Sequence, residues 1–97
     1  MVVNSKSILH DFGAEHPDAI KALNDWYHLV KDADWGTPGD VYEIFNSADY
    51  VGNDRFVFNI RGNRYRLVVM IFFEKRTLFI RFMGTHTEYD KIDATSI

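Results

Sequence analysis

The stretch "RFVFNIRGNRYRLVV", residues 55–69, alternates its side chains with the period of two that a half-buried strand requires. Phe56, Phe58 and Ile60 alternate with Val57, Asn59 and Arg61, and Gly62-Asn63 reads as a two-residue hairpin turn. That turn sets a register in which Arg61 faces Arg64, Asn59 faces Arg66 and Val57 faces Val68. Asn59, Arg61, Arg64 and Arg66 then share one face of a sheet. Phe56, Phe58, Ile60, Tyr65, Leu67, Val69 and Ile71 build an apolar wall on the other, and such a wall must be covered by another layer.

Moving outward, "EKR" (74–76) reads as the next turn and "TLFIRFMG" (77–84) as the strand that follows. With Lys75-Arg76 at the tip, Leu78, Ile80 and Phe82 join the wall, while Phe79, Arg81 and Met83 join the arginine face. The opposite register would bury Arg81 unpaired, at a cost of several kcal/mol. The cover comes from the N-terminal half. After a short first strand at Met1 to Val3, Asn4 or Ser5 offers a helix cap, and Ile8, Leu9 and Phe12 recur on one helical face. "HPDAIKALNDWYHLVKDADW" (16–35) is the clearest helix: Pro17 suits its first position, Asp18 its positive end, and Ile20, Leu23, Trp26 or Tyr27, and Val30 form a stripe. The residue before a proline resists helical geometry, so the two helices break at His16. A third, short helix is expected near Pro38 to Phe45. The expected architecture is α+β, with an N-terminal helical hairpin packed on a mostly antiparallel sheet of three or four strands.

At 97 residues the chain is expected to form a single domain over 1–97. It contains no cysteine, which excludes disulfides, thiolate zinc sites and a cysteine nucleophile. The longest apolar run, Leu67 to Phe73, is far short of the roughly 20 residues a membrane helix needs, so the reading is a soluble, cytoplasmic protein without a membrane partner. The net charge of −3 hides an asymmetry. Residues 1–54 carry three basic and ten acidic side chains, whereas residues 55–81 carry seven basic ones (Arg55, Arg61, Arg64, Arg66, Lys75, Arg76, Arg81) and a single acid, Glu74. A basic face of this kind is an electrostatic footprint for phosphate or for an acidic protein.

The segment "GTHTEYDKID" (84–93) delivers Thr85, His86, Glu88 and Tyr89 to the edge of that face. Guanidinium groups fork onto phosphate oxygens, and a histidine with an ordinary pKa near 6.5 can pass a proton at neutral pH. Together they suit cleavage of RNA, whose 2′-hydroxyl already stands beside the phosphorus; no metal or other cofactor is called for. His10, His16 and His28 lack matched ligands and read as surface residues, and Trp26, Trp35 and the phenylalanines read as core, not as a base-stacking platform.

"GNDRFVFNIRGNRYRLVVMI" (52–71) followed by "IRFMGTHTEYDKID" (80–93) resembles the HigB family of type II toxin–antitoxin toxins, within the RelE-like superfamily. The resemblance extends over nearly all of the chain. It implies a ribosome-dependent endoribonuclease that cuts mRNA during translation and is neutralised by a HigA-like helix-turn-helix antitoxin. On this resemblance Arg66, in "YRLVV", takes the position that contacts the scissile phosphate, and His86 and Tyr89 fall where the superfamily places its other catalytic residues, with Glu88 as a further candidate. Asn59, Arg61, Arg64, Arg81 and Lys91 are the RNA-binding candidates. The alternative on the same scaffold is a non-catalytic binding toxin that inhibits gyrase, or an attenuated toxin neutralised by its antitoxin.

Overall fold

The computed structural model describes residues 1–97 and contains five strands and four helices, one strand and one short helix more than the periodicities predict. Strand β1 (Val2–Asn4) leads to α1 (Ser7–Glu15), a 3-10 turn at Pro17–Ala19, α2 (Ile20–Asp32) and α3 (Pro38–Ile44). Strands β2 (Asp49–Gly52), β3 (Arg55–Ile60), β4 (Tyr65–Phe72) and β5 (Thr77–Thr85) follow, and α4 (His86–Tyr89) ends the ordered elements. The sheet runs β1-β5-β4-β3-β2, with β1 parallel to β5 and every other pair antiparallel. The α+β expectation holds, with five strands in place of three or four. The extra one is the short edge strand β2, whose brevity leaves little periodicity to detect; β1 falls where a short first strand was expected.

The helices break at His16 as expected, because Pro17 starts a new turn. Neither Asn4 nor Ser5 caps α1. Asn4 pairs with Phe79 in the sheet, Ser5 takes a left-handed φ of 67°, and the helix begins without a side-chain cap. On α2, Leu23, Trp26 and Val30 are buried, while Ile20 is largely exposed and Ala19 is buried in its stead. Helix α3 starts with Pro38 behind a Thr37/Asp40 capping box, which stops its first N–H groups from going unpaired.

The core lies between these helices and the wall of Phe56, Phe58, Ile60, Tyr65, Leu67, Val69, Ile71, Leu78 and Ile80. Trp26 meets Phe58 edge to face at 5.5 Å between ring centroids. The β3–β4 register is the expected one, with Asn59 opposite Arg66 and Val57 opposite Val68. Its turn differs: pairing ends at Ile60–Tyr65, and the positive φ values fall on Arg61 and Gly62, not on Gly62 and Asn63.

A second correction concerns β5. Val69 pairs with Ile80 and Val68 with Phe82, so Arg81 is an extra residue that bulges out of the ladder. Beyond the bulge the faces exchange. Phe82 therefore leaves the helix-covered wall for a second apolar cluster on the opposite face, and Met83 packs against the main core. That second cluster, built on Val57, Val68 and Ala94, is covered by Tyr89, Ile92 and Ile97 as the C-terminal segment crosses the sheet.

Candidate functional site

On the face away from the helices, Asn59, Arg66 and Gly84 stand in one cross-strand row on β3, β4 and β5. Neighbouring strands lie about 4.8 Å apart, so the row is a compact strip of polar side chain and bare backbone. Arg66 is half-buried, and its guanidinium meets only the carbonyls of Asn63 (3.2 Å) and Tyr65 (3.4 Å). No carboxylate neutralises it. Gly84 is buried beneath the Phe82 ring: a Cβ there would come within 2.5 Å of Phe82 Cζ and 3.2 Å of Glu88 Oε1. Only glycine fits without displacing the residues around it.

From Gly84 the chain turns directly into α4. Thr85 Oγ1 accepts the backbone N–H of Glu88 at 3.2 Å, and Glu88 Oε1 accepts that of Thr85 at 2.8 Å. This capping box fixes where the helix starts, and hence where His86 stands. The Thr85 backbone N–H, ahead of its hydroxyl, holds the Glu88 carboxyl below the usual range, with Lys91 and His16 contributing charge. His86, about half exposed, points Nδ1 at Asp90 Oδ2 across 3.2 Å, one helical turn on. That contact leaves Nε2 as the free ring nitrogen. Tyr89 packs its ring near Phe82, 6.5 Å between centroids, and its hydroxyl makes no hydrogen bond. Lys91 is exposed and without an acidic partner.

Arg61 and Arg64 do not join this face. Released from the ladder by the turn, both reach over the end of the sheet to Asp18 Oδ2, Arg64 at 3.2 Å, while the Tyr65 hydroxyl donates to Asp18 Oδ1 at 2.6 Å. That hydroxyl, first among the causes, and the two guanidiniums lower the Asp18 carboxyl below its ordinary value. Asp18, expected merely as a helix-start acid, is thus the hub of a cross-link. His16 belongs to the same corner. Its ring stacks on Phe12 at 4.2 Å and lies 5.4 Å from Tyr65, so it is half-buried, unlike the exposed His10 and His28.

Two further basic residues are also engaged. Arg55 is buried, donating to the carbonyls of Asn53 (2.9 Å) and Ile97 (3.0 Å), and Arg76 pairs with Asp34 at 2.6 Å. Arg81, exposed on the bulge, stays unpaired. From the sequence Asp90 reads as a solvated acid; a His and an Asp four apart is the available signal for the pair. No three His, Asp or Glu side chains converge in a metal-holding arrangement, and no helix is long and apolar enough to cross a membrane.

The family description "HigB_toxin, RelE-like toxic component of a toxin-antitoxin system" matches residues 19–92, which take in this row and α4. The chain belongs to the HigB toxin family. HigB relatives cover nearly the whole chain. The "mRNA interferase toxin HigB" of Escherichia coli K12 is 41% identical over 89 residues, covering 89% of this chain and 85% of the relative. The "mRNA interferase HigB" of E. coli O6:H1 is 28% identical over 94 residues, covering 95% of this chain and 91% of the relative. A HigB toxin has an antitoxin as its partner, as the family description states.

Proposed function

We propose that this HigB protein is an mRNA interferase, an endoribonuclease that cuts translated mRNA on the ribosome and so halts translation. Arg66 carries the reading: an arginine without an acidic partner, in the row beside a His86–Asp90 pair, within a family whose relatives bear that name. Arg66 holds the scissile phosphate and stabilises the extra negative charge of the pentavalent state. The ribose 2′-hydroxyl attacks phosphorus, its proton passing to water, and the bond to the 5′-oxygen breaks. His86 protonates that oxygen through Nε2 while Asp90 holds the ring by Nδ1, leaving a 2′,3′-cyclic phosphate and a 5′-hydroxyl.

Glu88 serves this chemistry through the capping box, which positions His86. Tyr89 anchors the C-terminal segment with its ring and offers its free hydroxyl to the nucleotide. Asn59, Arg81 and Lys91 hold the RNA backbone. The whole chain, 1–97, acts as one domain in the cytoplasm, where ribosomes are. A HigA-like helix-turn-helix antitoxin covers the basic face with an acidic segment.

The test is transcript 5′-end mapping after brief induction of the wild-type chain in a bacterium lacking the antitoxin, beside Arg66→Ala and His86→Ala. New ends inside codons, present for wild type and lost in both variants, are the expected result. Growth arrest without new ends would overturn the nuclease reading in favour of a binding toxin acting on gyrase.

A further inference from the structure

The face that carries the Asn59–Arg66–Gly84 row does not end at the second cluster. Beyond the Arg81 bulge, Met70 and Phe72 on β4 and Phe79 on β5 emerge on the same side of the sheet, and Val2 on β1 extends them. Neither apolar cluster takes in Met70, Phe72 or Phe79. The C-terminal segment covers the sheet over Val57 and Val68 and ends at Arg55, opposite Met70, and its cluster takes in neither Phe72 nor Phe79. All three side chains are partly exposed, and Val2 is 58% exposed. Phe72 and Phe79 meet edge to face, with centroids 5.8 Å apart and planes at 78°, an arrangement that leaves ring surface for a third aromatic partner. The expectation that every phenylalanine is core holds for Phe12, Phe56 and Phe58, and fails for this pair.

We infer that Phe72 and Phe79, with Arg81 beside them, form a base-stacking platform that holds the single-stranded RNA flanking the cleavage site. The inference rests on the nuclease reading above. Three observations favour RNA as the occupant. The ridge is aromatic, and every base offers a π-face to such rings. Its flanking cations, Arg81 on the bulge and Lys75 in the turn at its upper end, have no carboxylate partner, so the surroundings suit a polyanion. Phe79 lies five residues before Gly84 on the same strand, which at about 3.3 Å per residue is a separation that two or three nucleotides span. The bulge places Arg81 between the two sites, where a backbone phosphate of that strand would pass.

The probe is a non-cleavable 2′-O-methyl oligoribonucleotide of about ten nucleotides, a length within the range that such platforms bind. Phe72→Trp supplies the signal. The native Trp26 and Trp35 are each only 2% exposed, so quenching on RNA addition reports the new ring. Quenching of Phe72→Trp is expected. A Phe72→Ala/Phe79→Ala pair should weaken oligonucleotide binding by about tenfold or more, tyrosine at both positions should restore it, and turnover of saturated substrate should be unchanged. If the wild-type chain cleaves mRNA while the alanine pair binds as tightly and Phe72→Trp stays unquenched, the platform is wrong and the nuclease reading survives. Loss of association with the antitoxin or with a second copy, at undiminished RNA affinity, would equally overturn it. A wild-type chain that cuts no mRNA fails the nuclease reading itself.

Discussion

Glu88 and Thr85 exchange hydrogen bonds across the start of α4, so Glu88 Oε1 and Thr85 Oγ1 are engaged in defining a helix. A glutamine at 88 can make the same bond to the Thr85 N–H, because the capping box accepts either residue. Glu88→Gln is therefore expected to keep mRNA cleavage within about tenfold of wild type, whereas loss of a general base would cost about 10²–10⁴. Single-turnover cleavage on ribosome-bound message distinguishes the two; a loss of the larger size would make Glu88 the base. His86 and Arg66 could be read from residue type and position. Asp90, the partner of His86, was hidden because a lone acid in a polar turn is usually a solvated one, and only the helical turn brings its carboxylate within 3.2 Å of the His86 ring.

The strand register of β3–β4 was legible, since its buried face makes a one-residue slip prohibitive, but its turn and the far half of β5 were not. Strict alternation puts Phe82 in the core and Met83 outside; a bulge adds one residue to the count, and no local signal in "IRFMG" announces it. Deleting Arg81 should restore alternation, drive Phe82 toward the helices and expel Met83, so the deletion is expected to lose cooperative thermal unfolding. Arg81→Ala keeps the count and should stay within about 0.5 kcal/mol of wild type in denaturant unfolding. Equal behaviour of the two variants would refute the role assigned to the bulge. The Asp18 corner makes a separate prediction. Its carboxyl is lowered in the folded chain, so this linkage is fully present above the unfolded value near 3.8 and is lost as pH falls through the folded one. Tyr65 is raised above 10.0, so its share persists below that value and is lost as pH rises through the folded one. Tyr65→Phe should flatten both limbs of a midpoint-versus-pH curve. Arg61 and Arg64 were misplaced in the sequence reading for a related reason: a turn residue obeys no strand parity, and a carboxylate 43 and 46 residues away decides where each one goes.

At the scale of the whole molecule, the acidic N-terminal half and the basic sheet are two parts of one electrostatic arrangement. Asp18 takes up Arg61 and Arg64, Asp34 takes up Arg76, and carbonyls take up Arg55. Of the basic side chains from 55 onward, this leaves Arg66, Lys75, Arg81 and Lys91 free of carboxylate partners. A chain of net charge −3 can still bind a polyanion if these four act together on one face. Counterion release turns that count into a measurement, because single-stranded binding falls with log salt at a slope of about −0.7 per phosphate contacted. If all four side chains contact phosphates, the slope for a 2′-O-methyl oligoribonucleotide should be about −3. Asp18→Asn keeps an acceptor for Tyr65 but releases two guanidiniums at the rim of the site, and should steepen the slope by about 1.4 if both reach the RNA. A slope unchanged in that variant would mean that Arg61 and Arg64 tie the β3–β4 turn to α2 and never touch the nucleic acid. A wild-type slope already near −4 would mean that RNA draws them away from Asp18 on binding, so that this ion pair is a contact the substrate displaces.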